Sequence, residues 1–149
     1  MVTNQPRRWV MLLYNVPPRP TAGRVAVWRK LKRLGAILLH DSAWVLPSSP
    51  RSFEHLQWLV AEIAELGGEA TLWEGSLCLD GHDDRLIQQF RGQANRLYEE
   101  IEQALAQPEP DLAMLSRRYQ QALQQDFFHS ERGQRVRAAL LSAADGSQP

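Results

Sequence analysis

The first 80 residues alternate between apolar and mixed stretches, and each stretch has the length of one strand or one helix. The apolar run at residues 9–16 is too short for a helix and is followed by two prolines, so it predicts a buried strand. A helix is expected next, with Thr21 as its N-cap and Gly35 as its C-terminal glycine. The chain is therefore predicted to open with a strand and a helix.

The same pattern continues to residue 79. Two short apolar stretches on either side of Asp41, residues 36–40 and 42–47, predict a tight antiparallel pair. Helical spacing over residues 52–68, with Ser52 as the expected cap, is followed by a strand at 69–79. The order strand, helix, strand, strand, helix, strand predicts an α+β, ferredoxin-like βαββαβ fold, with one antiparallel sheet and two helices on one face.

Beyond residue 79 the pattern is helical throughout. A long amphipathic stretch at residues 83–107 ends at a Pro-Glu-Pro sequence, and two further helices are expected within 111–128 and 133–144. We predict a ferredoxin-like domain at residues 7–80 and a C-terminal helical extension at 81–144.

Length and composition agree with one main core. The chain has 149 residues, 44% of them hydrophobic, and a single cysteine, Cys78, which has no partner for an internal disulfide. No apolar run approaches the roughly 18 residues that span a bilayer, and no signal pattern precedes the first strand. We therefore expect a cytoplasmic protein without a membrane partner.

The formal net charge is zero, but the charges are segregated along the chain. Residues 1–51 carry nine Arg or Lys against one acid, a net charge of +8, which the rest of the chain balances. Such segregation predicts a basic surface that suits anionic partners.

The basic residues concentrate in the first predicted helix, where residues 24–35 hold five cations and no acid. Helical geometry places Val27, Trp28, Leu31 and Leu34 toward the core. A solvated helix face is one interpretation, but such faces usually interleave acids with bases, so the pattern equally favours binding of nucleic acid or a small anion. The candidate binding residues are Arg19, Arg24, Arg29, Lys30, Lys32 and Arg33, with Arg7 and Arg8 as flanking cations.

Strong catalytic motifs are absent from the sequence. The nearest approach to a metal site is Cys78 with His82, Asp83 and Asp84, whose spacing matches no structural zinc pattern. The two aspartates more simply begin the next helix, where negative charge is favourable. We predict no catalytic residue, no metal and no cofactor.

Long segments of the sequence resemble the N-terminal region of the ChrB family of chromate-resistance regulators. They are WVMLLYNVPPRPTAGRVAVWRKLKRLGAILLHDSAWVLPSSP, LVAEIAELGGEATLW, DDRLIQQFRGQANRLYEEI and RRYQQALQQDFF. The resemblance extends from about Trp9 to Leu141, and its first block is the most specific. It implies a cytoplasmic protein of a family linked to chromate resistance and to chromate-responsive transcription control, with DNA binding in the basic N-terminal part. Direct binding of chromate or sulfate by the same cations is a related alternative.

The segment from Tyr14 to Leu46 is also similar in outline to the small CRISPR adaptation nuclease and to a domain of the PaaX repressor. Both are ferredoxin-like and commonly dimeric, so this resemblance implies a homodimer. The nuclease has Tyr-Asp at the end of its first strand, where this sequence has Tyr14 and Asn15. An amide is a poor base and a weaker metal ligand than a carboxylate, so this departure argues against a metal-dependent nuclease, which stays an alternative.

ChrB proteins typically continue into a second, similarly sized domain associated with chromate handling, and we expect this chain to end before such a domain. The resemblance therefore implies either a separately encoded partner for chromate handling or a different task. A non-catalytic protein-interaction module is a further alternative.

Overall fold

The structure, a computed structural model, describes residues 7–146 of the chain. Residues 1–6 and 147–149 lie outside the described residues. The expectation that no signal segment precedes the first strand falls mostly on residues 1–6 and therefore lies outside the described residues as well. Packing divides the chain into a first unit that ends at Arg85 and a second unit that begins at Leu86. The predicted domain limits, 7–80 and 81–144, stay a prediction.

The first unit has the predicted βαββαβ order, which confirms the α+β fold class. Its elements are β1 (Trp9–Asn15), α1 (Thr21–Leu34), β2 (Ile37–His40), β3 (Ala43–Pro47), α2 (Pro50–Glu65) and β4 (Glu69–Gly75). The strands form one antiparallel sheet in the order β2-β3-β1-β4. Leu12 at the centre of β1 is in register with Trp44 of β3 and Leu72 of β4.

Alternation of side chains along β1 places the core on one face of the sheet. Val10 and Leu12 on one face are fully buried, whereas Leu13, which points to the opposite face, is exposed. Helix α2 packs against β1 and β4, and α1 lies beside α2. The helices contribute Val27 and Leu31 of α1, and Leu56, Leu59 and Ile63 of α2, all buried.

The ends of the two helices differ in detail from the sequence expectation. Thr21 is already inside α1, and the capping position is Pro20, whose side chain makes no cap hydrogen bond. Ser49 caps α2 by accepting a 3.0 Å hydrogen bond from the backbone N–H of Ser52, so the cap lies three residues earlier than predicted. Gly35 ends α1 at φ 83°, as expected of a C-terminal glycine.

Gly68 closes the turn between α2 and β4. A Cβ atom at this position would lie 2.4 Å from the carbonyl oxygen of Asn15 and 2.9 Å from the side chain of Ile63. Only glycine allows this close approach, which holds the end of α2 against the end of β1.

The second unit is helical, as predicted. It contains α3 (His82–Leu105) from Leu86 onward, α4 (Leu112–Gln125) and α5 (Glu131–Gly146). Buried apolar residues from these three helices form one core: Ala94, Tyr98, Ile101, Leu115, Tyr119, Ala122 and Val136. No helix within residues 7–146 has the length and apolar character that crossing a membrane requires.

A hydrogen-bonded group is buried in this helical core. The hydroxyl of Tyr98 donates to Asp126 over 2.9 Å, and Asp126 also accepts from the backbone N–H of Ser130 over 2.9 Å. Burial and the neighbouring Asp126 carboxylate raise the pKa of Tyr98 above its usual value. Gly133 lies against the Tyr98 ring, where an added Cβ would approach ring atoms to 2.7 Å.

Candidate nucleic-acid interface

Helix α1 carries five of the six candidate binding residues, all except Arg19. Val27 and Leu31 on its inner side are buried in the core of the first unit. Near its start, a Cβ on Gly23 would lie 3.4 Å from the side chain of Leu66 just after α2. The outer side of α1 is therefore held in one orientation by packing on the inner side.

Four of the predicted cations lie on this outer side. Arg24, Arg29, Lys32 and Arg33 are all exposed, and α1 contains no acidic residue. We define the α1 basic surface as these four residues together with Trp28. Like charges repel one another on such a surface, so an anionic partner would stabilise it.

Trp28 corrects the sequence analysis, which placed this residue toward the core. Its side chain is 49% exposed. Trp28 follows Val27 by one residue, about 100° around the helix, so it lies at the flank of the buried stripe. The ammonium of Lys32, one turn later, lies 5.8 Å from the centre of the indole ring, a cation–π contact. Arg24, one turn earlier, completes a row in which a tryptophan lies between two cations.

Lys30 is less exposed than the other α1 cations. It is half-buried, and its ammonium forms an ion pair with the carboxylate of Glu62 on α2. The acid that neutralises Lys30 is 32 residues away in the sequence. A count of charges along α1 alone does not reveal this pair.

The remaining predicted cations lie outside α1. Arg19 is exposed in the segment before the helix. Arg8 donates to the carboxylate of Glu74 over 3.0 Å, and Ser48 donates to the same carboxylate. The hydrogen bonds from Ser48 and Arg8 hold the pKa of Glu74 below its ordinary value. The assignment of all these residues to anion binding stays a prediction.

The weak metal pattern of the sequence falls on residues with structural contacts. Asp83 accepts a 2.9 Å hydrogen bond from the indole N–H of Trp9 and a 3.3 Å bond from the backbone N–H of Arg7. Within the described part of the chain, no three His, Cys, Asp or Glu residues are grouped as a metal ion would need. Asn15 is exposed at the end of β1, at the position of the nuclease comparison.

The sequence analysis did not assign Trp28 to the candidate surface. The signal that identifies it is the i, i+4 spacing of Arg24, Trp28 and Lys32, which places all three on one side of a helix.

Comparison with known proteins gives the family. A profile of the family described as Protein ChrB, N-terminal, matches residues 24–107, which include all of α1 from Arg24 onward. This range is shorter than the resemblance from Trp9 to Leu141 noted in the sequence. The chain is also 30% identical over 94 residues to Protein ChrB of Cupriavidus metallidurans. The aligned part covers 63% of this chain and 28% of the length of that relative. Because the family profile matches more than half of the chain, this protein belongs to the ChrB N-terminal family.

Proposed function

We propose that this chain is a DNA-binding transcriptional regulator of the chromate-resistance response, and that the α1 basic surface contacts DNA phosphates. The observation that carries the proposal is the set of four exposed cations on one acid-free helix whose other side is fixed in the core. Membership of the ChrB N-terminal family supports the chromate-resistance context. As a regulator of transcription, the protein would act in the cytoplasm.

The spread of the cations favours a DNA backbone over a single small anion. Arg24 and Lys32 lie on one side of α1 and are eight residues apart, which is about 12 Å along the helix axis. The phosphates of one DNA strand follow one another about every 3.4 Å of the duplex axis, so cations spread over such a length can meet more than one of them. A chromate or sulfate ion instead needs two or three donors that converge on one point.

Trp28 adds a contact of a different kind. An exposed indole between two cations offers a flat apolar surface to a sugar or a base while the cations hold phosphates. The α1 basic surface would therefore bind DNA through both charge contacts and an apolar contact.

The test measures binding of the protein to the DNA upstream of its own gene by fluorescence anisotropy at low salt. The variant Arg29→Ala/Arg33→Ala removes two cations from the surface and should weaken binding at least tenfold. The matched control is Arg51→Ala/Arg85→Ala, which removes two exposed cations of the first unit outside α1. When the variants are compared at 0.1 M salt, we expect the control to bind within about threefold of the unaltered protein, because charges farther than about 10 Å from the DNA are then largely screened.

Absence of DNA binding by the unaltered protein at low salt would contradict the proposal. Equal losses in the two double variants would also contradict it, because they would show a response to net charge rather than to the α1 basic surface.

The proposal assigns chromate recognition to a partner protein rather than to the α1 basic surface. The wide spacing of the α1 cations supports this division of roles, because it suits a backbone rather than a tetrahedral dianion. Isothermal titration with chromate, and with sulfate as the comparison anion, should give no binding heat. A saturable heat with either anion would transfer the sensing role to this chain.

A further inference from the structure

The two edges of the sheet are built differently. The β2 edge has only four residues, and its pairing with β3 is interrupted between Leu38 and His40. The β4 edge has seven residues, all in continuous register with β1. Short or irregular edges resist pairing with another chain, whereas long regular edges favour it. The β4 edge therefore retains the geometry that accepts a further strand.

The sequence of β4 also lacks the residues that protect an edge. It contains no proline and no lysine, and its charged residues, Glu69 and Glu74, lie near its two ends. The Glu74 carboxylate is engaged by Arg8 and Ser48. The central residues Ala70 to Trp73 are uncharged, and Trp73 is 56% exposed.

We propose that β4 pairs with β4 of a second copy of this chain, in an antiparallel register centred on Leu72. This is the register that pairs all seven residues of the strand. It places Leu72 opposite itself, Thr71 opposite Trp73 of the second copy, and both glutamates opposite uncharged residues. Specifically, Glu69 faces Gly75 and Glu74 faces Ala70 across the new pair. Two four-stranded sheets join into one of eight strands.

Charge and side-chain direction both select this register. A slip by one residue would place Glu69 opposite Glu74, which is unfavourable for two carboxylates. The same slip would pair exposed Thr71 with half-buried Leu72, two residues that point to opposite faces of the sheet. In the proposed register, exposed Thr71 meets exposed Trp73, and the faces agree.

We expect a second copy of the chain to pair with the β4 edge because this strand is complementary to itself. The pairing is isologous, since each contact occurs twice about a twofold axis, and it closes after two copies. The Trp73 ring, whose N–H donates to Thr71 of its own strand over 2.8 Å, would also cover Thr71 of the other strand. Met11 is the β1 neighbour of Trp73 on the same face, so the apolar strip continues into each sheet.

Disulfide trapping tests the register directly. In a Cys78→Ser background, a tagged Thr71→Cys variant is mixed with an untagged Trp73→Cys variant and oxidised mildly. We expect the mixed dimer to form at least tenfold faster than either homodimer, because only the mixed pair has directly opposed Cβ atoms within disulfide reach. Homodimers that form as fast as the mixed dimer would overturn the register.

Sedimentation velocity over a concentration series tests the association itself. The full chain should form dimers, and Trp73→Lys, which places a cation on the strand, should shift the midpoint of dimerisation at least tenfold higher. The matched control is Leu79→Lys, which changes an exposed leucine outside the strand and should leave the midpoint unchanged. Circular dichroism confirms that each variant is folded. A full chain that stays monomeric at all concentrations, or dimers equally stable in both variants, would overturn the proposal.

Discussion

At the scale of single residues, Trp28 separates two contributions to DNA binding. The cations around it act through phosphate charge, whereas the indole acts through apolar contact with the sugars. Charge contacts weaken as salt rises because bound counterions are released, and apolar contacts lack this dependence. The two contributions can therefore be distinguished by how affinity responds to salt.

Replacing Trp28 with alanine should lower DNA affinity by about tenfold at every salt concentration and leave the slope against salt unchanged. Burial of the exposed part of the indole against DNA sugars, at about 25 cal/mol per Å² of apolar surface, contributes roughly 1–2 kcal/mol, which corresponds to a loss of about tenfold. The measurement is anisotropy at several salt concentrations. The matched control is Trp58→Ala on α2, a tryptophan that is 72% exposed and lies outside the α1 basic surface. Equal losses for both variants would contradict a specific role for Trp28.

Gly133 leaves space for the buried ring of Tyr98 because glycine has no Cβ atom. An alanine there would press its Cβ against Tyr98, which is fully enclosed and unable to move aside. Gly133→Ala should therefore lower the free energy of unfolding by about 1–3 kcal/mol in urea denaturation. Gly92 in α3 is the matched control, because a Cβ there meets nothing within 4 Å. Gly92→Ala should raise stability by about 0.5–1 kcal/mol. Destabilisation by both substitutions would contradict this account.

The raised pKa of Tyr98 predicts that the free energy of unfolding falls at alkaline pH. Its pKa is raised in the folded protein, so above the ordinary tyrosine pKa the unfolded chain loses a proton that the folded chain retains. Stability from this group is complete below about pH 10 and falls as the pH rises further. Urea denaturation between pH 8 and 11 should show the decline, and Tyr98→Phe should reduce its slope. An unchanged slope in that variant would exclude Tyr98 as the cause.

At the scale of elements, local pattern was sufficient for the order of strands and helices in both units. The run at β1 and the helical spacing of α2 each depend on residues that are close in sequence, and Gly35 marks a helix end by its own backbone preference. The exposure of Trp28 was not predicted, because flank positions depend on how a helix is rotated against its sheet. The partner of Lys30 was not predicted either, because it comes from another helix.

The ion pair between Lys30 and Glu62 yields a prediction at this scale. Glu62→Gln removes the acid next to α1 and releases the Lys30 ammonium for phosphate, so DNA affinity should rise by about threefold to tenfold. The cost in stability should be no more than about 1 kcal/mol, since both side chains are partly exposed. Glu54→Gln, an exposed site on the same helix, is the matched control for net charge. Equal gains in the two variants would show that the ion pair with Lys30 does not matter.

At the scale of the whole molecule, a neutral chain achieves a basic surface by placing its cations on one helix. Residues 52–149 carry 16 acids and eight Arg or Lys, and the opposite balance in residues 1–51 leaves α1 without an acid of its own. Pairing through β4 would bring two copies of this surface into one dimer, while β4 and α1 remain separate elements. Association and DNA contact thus use different residues, and variants of one should leave the other intact.

The central claim is that the α1 basic surface contacts DNA phosphates, and the salt dependence of binding tests it most directly. The logarithm of the binding constant should fall linearly with the logarithm of salt concentration for the unaltered protein. Each lost phosphate contact reduces the slope by about 0.9, so Arg29→Ala/Arg33→Ala should be shallower by about 1.8. The Arg51→Ala/Arg85→Ala variant should keep the full slope. Identical slopes for the unaltered protein and the α1 double variant would contradict the claim.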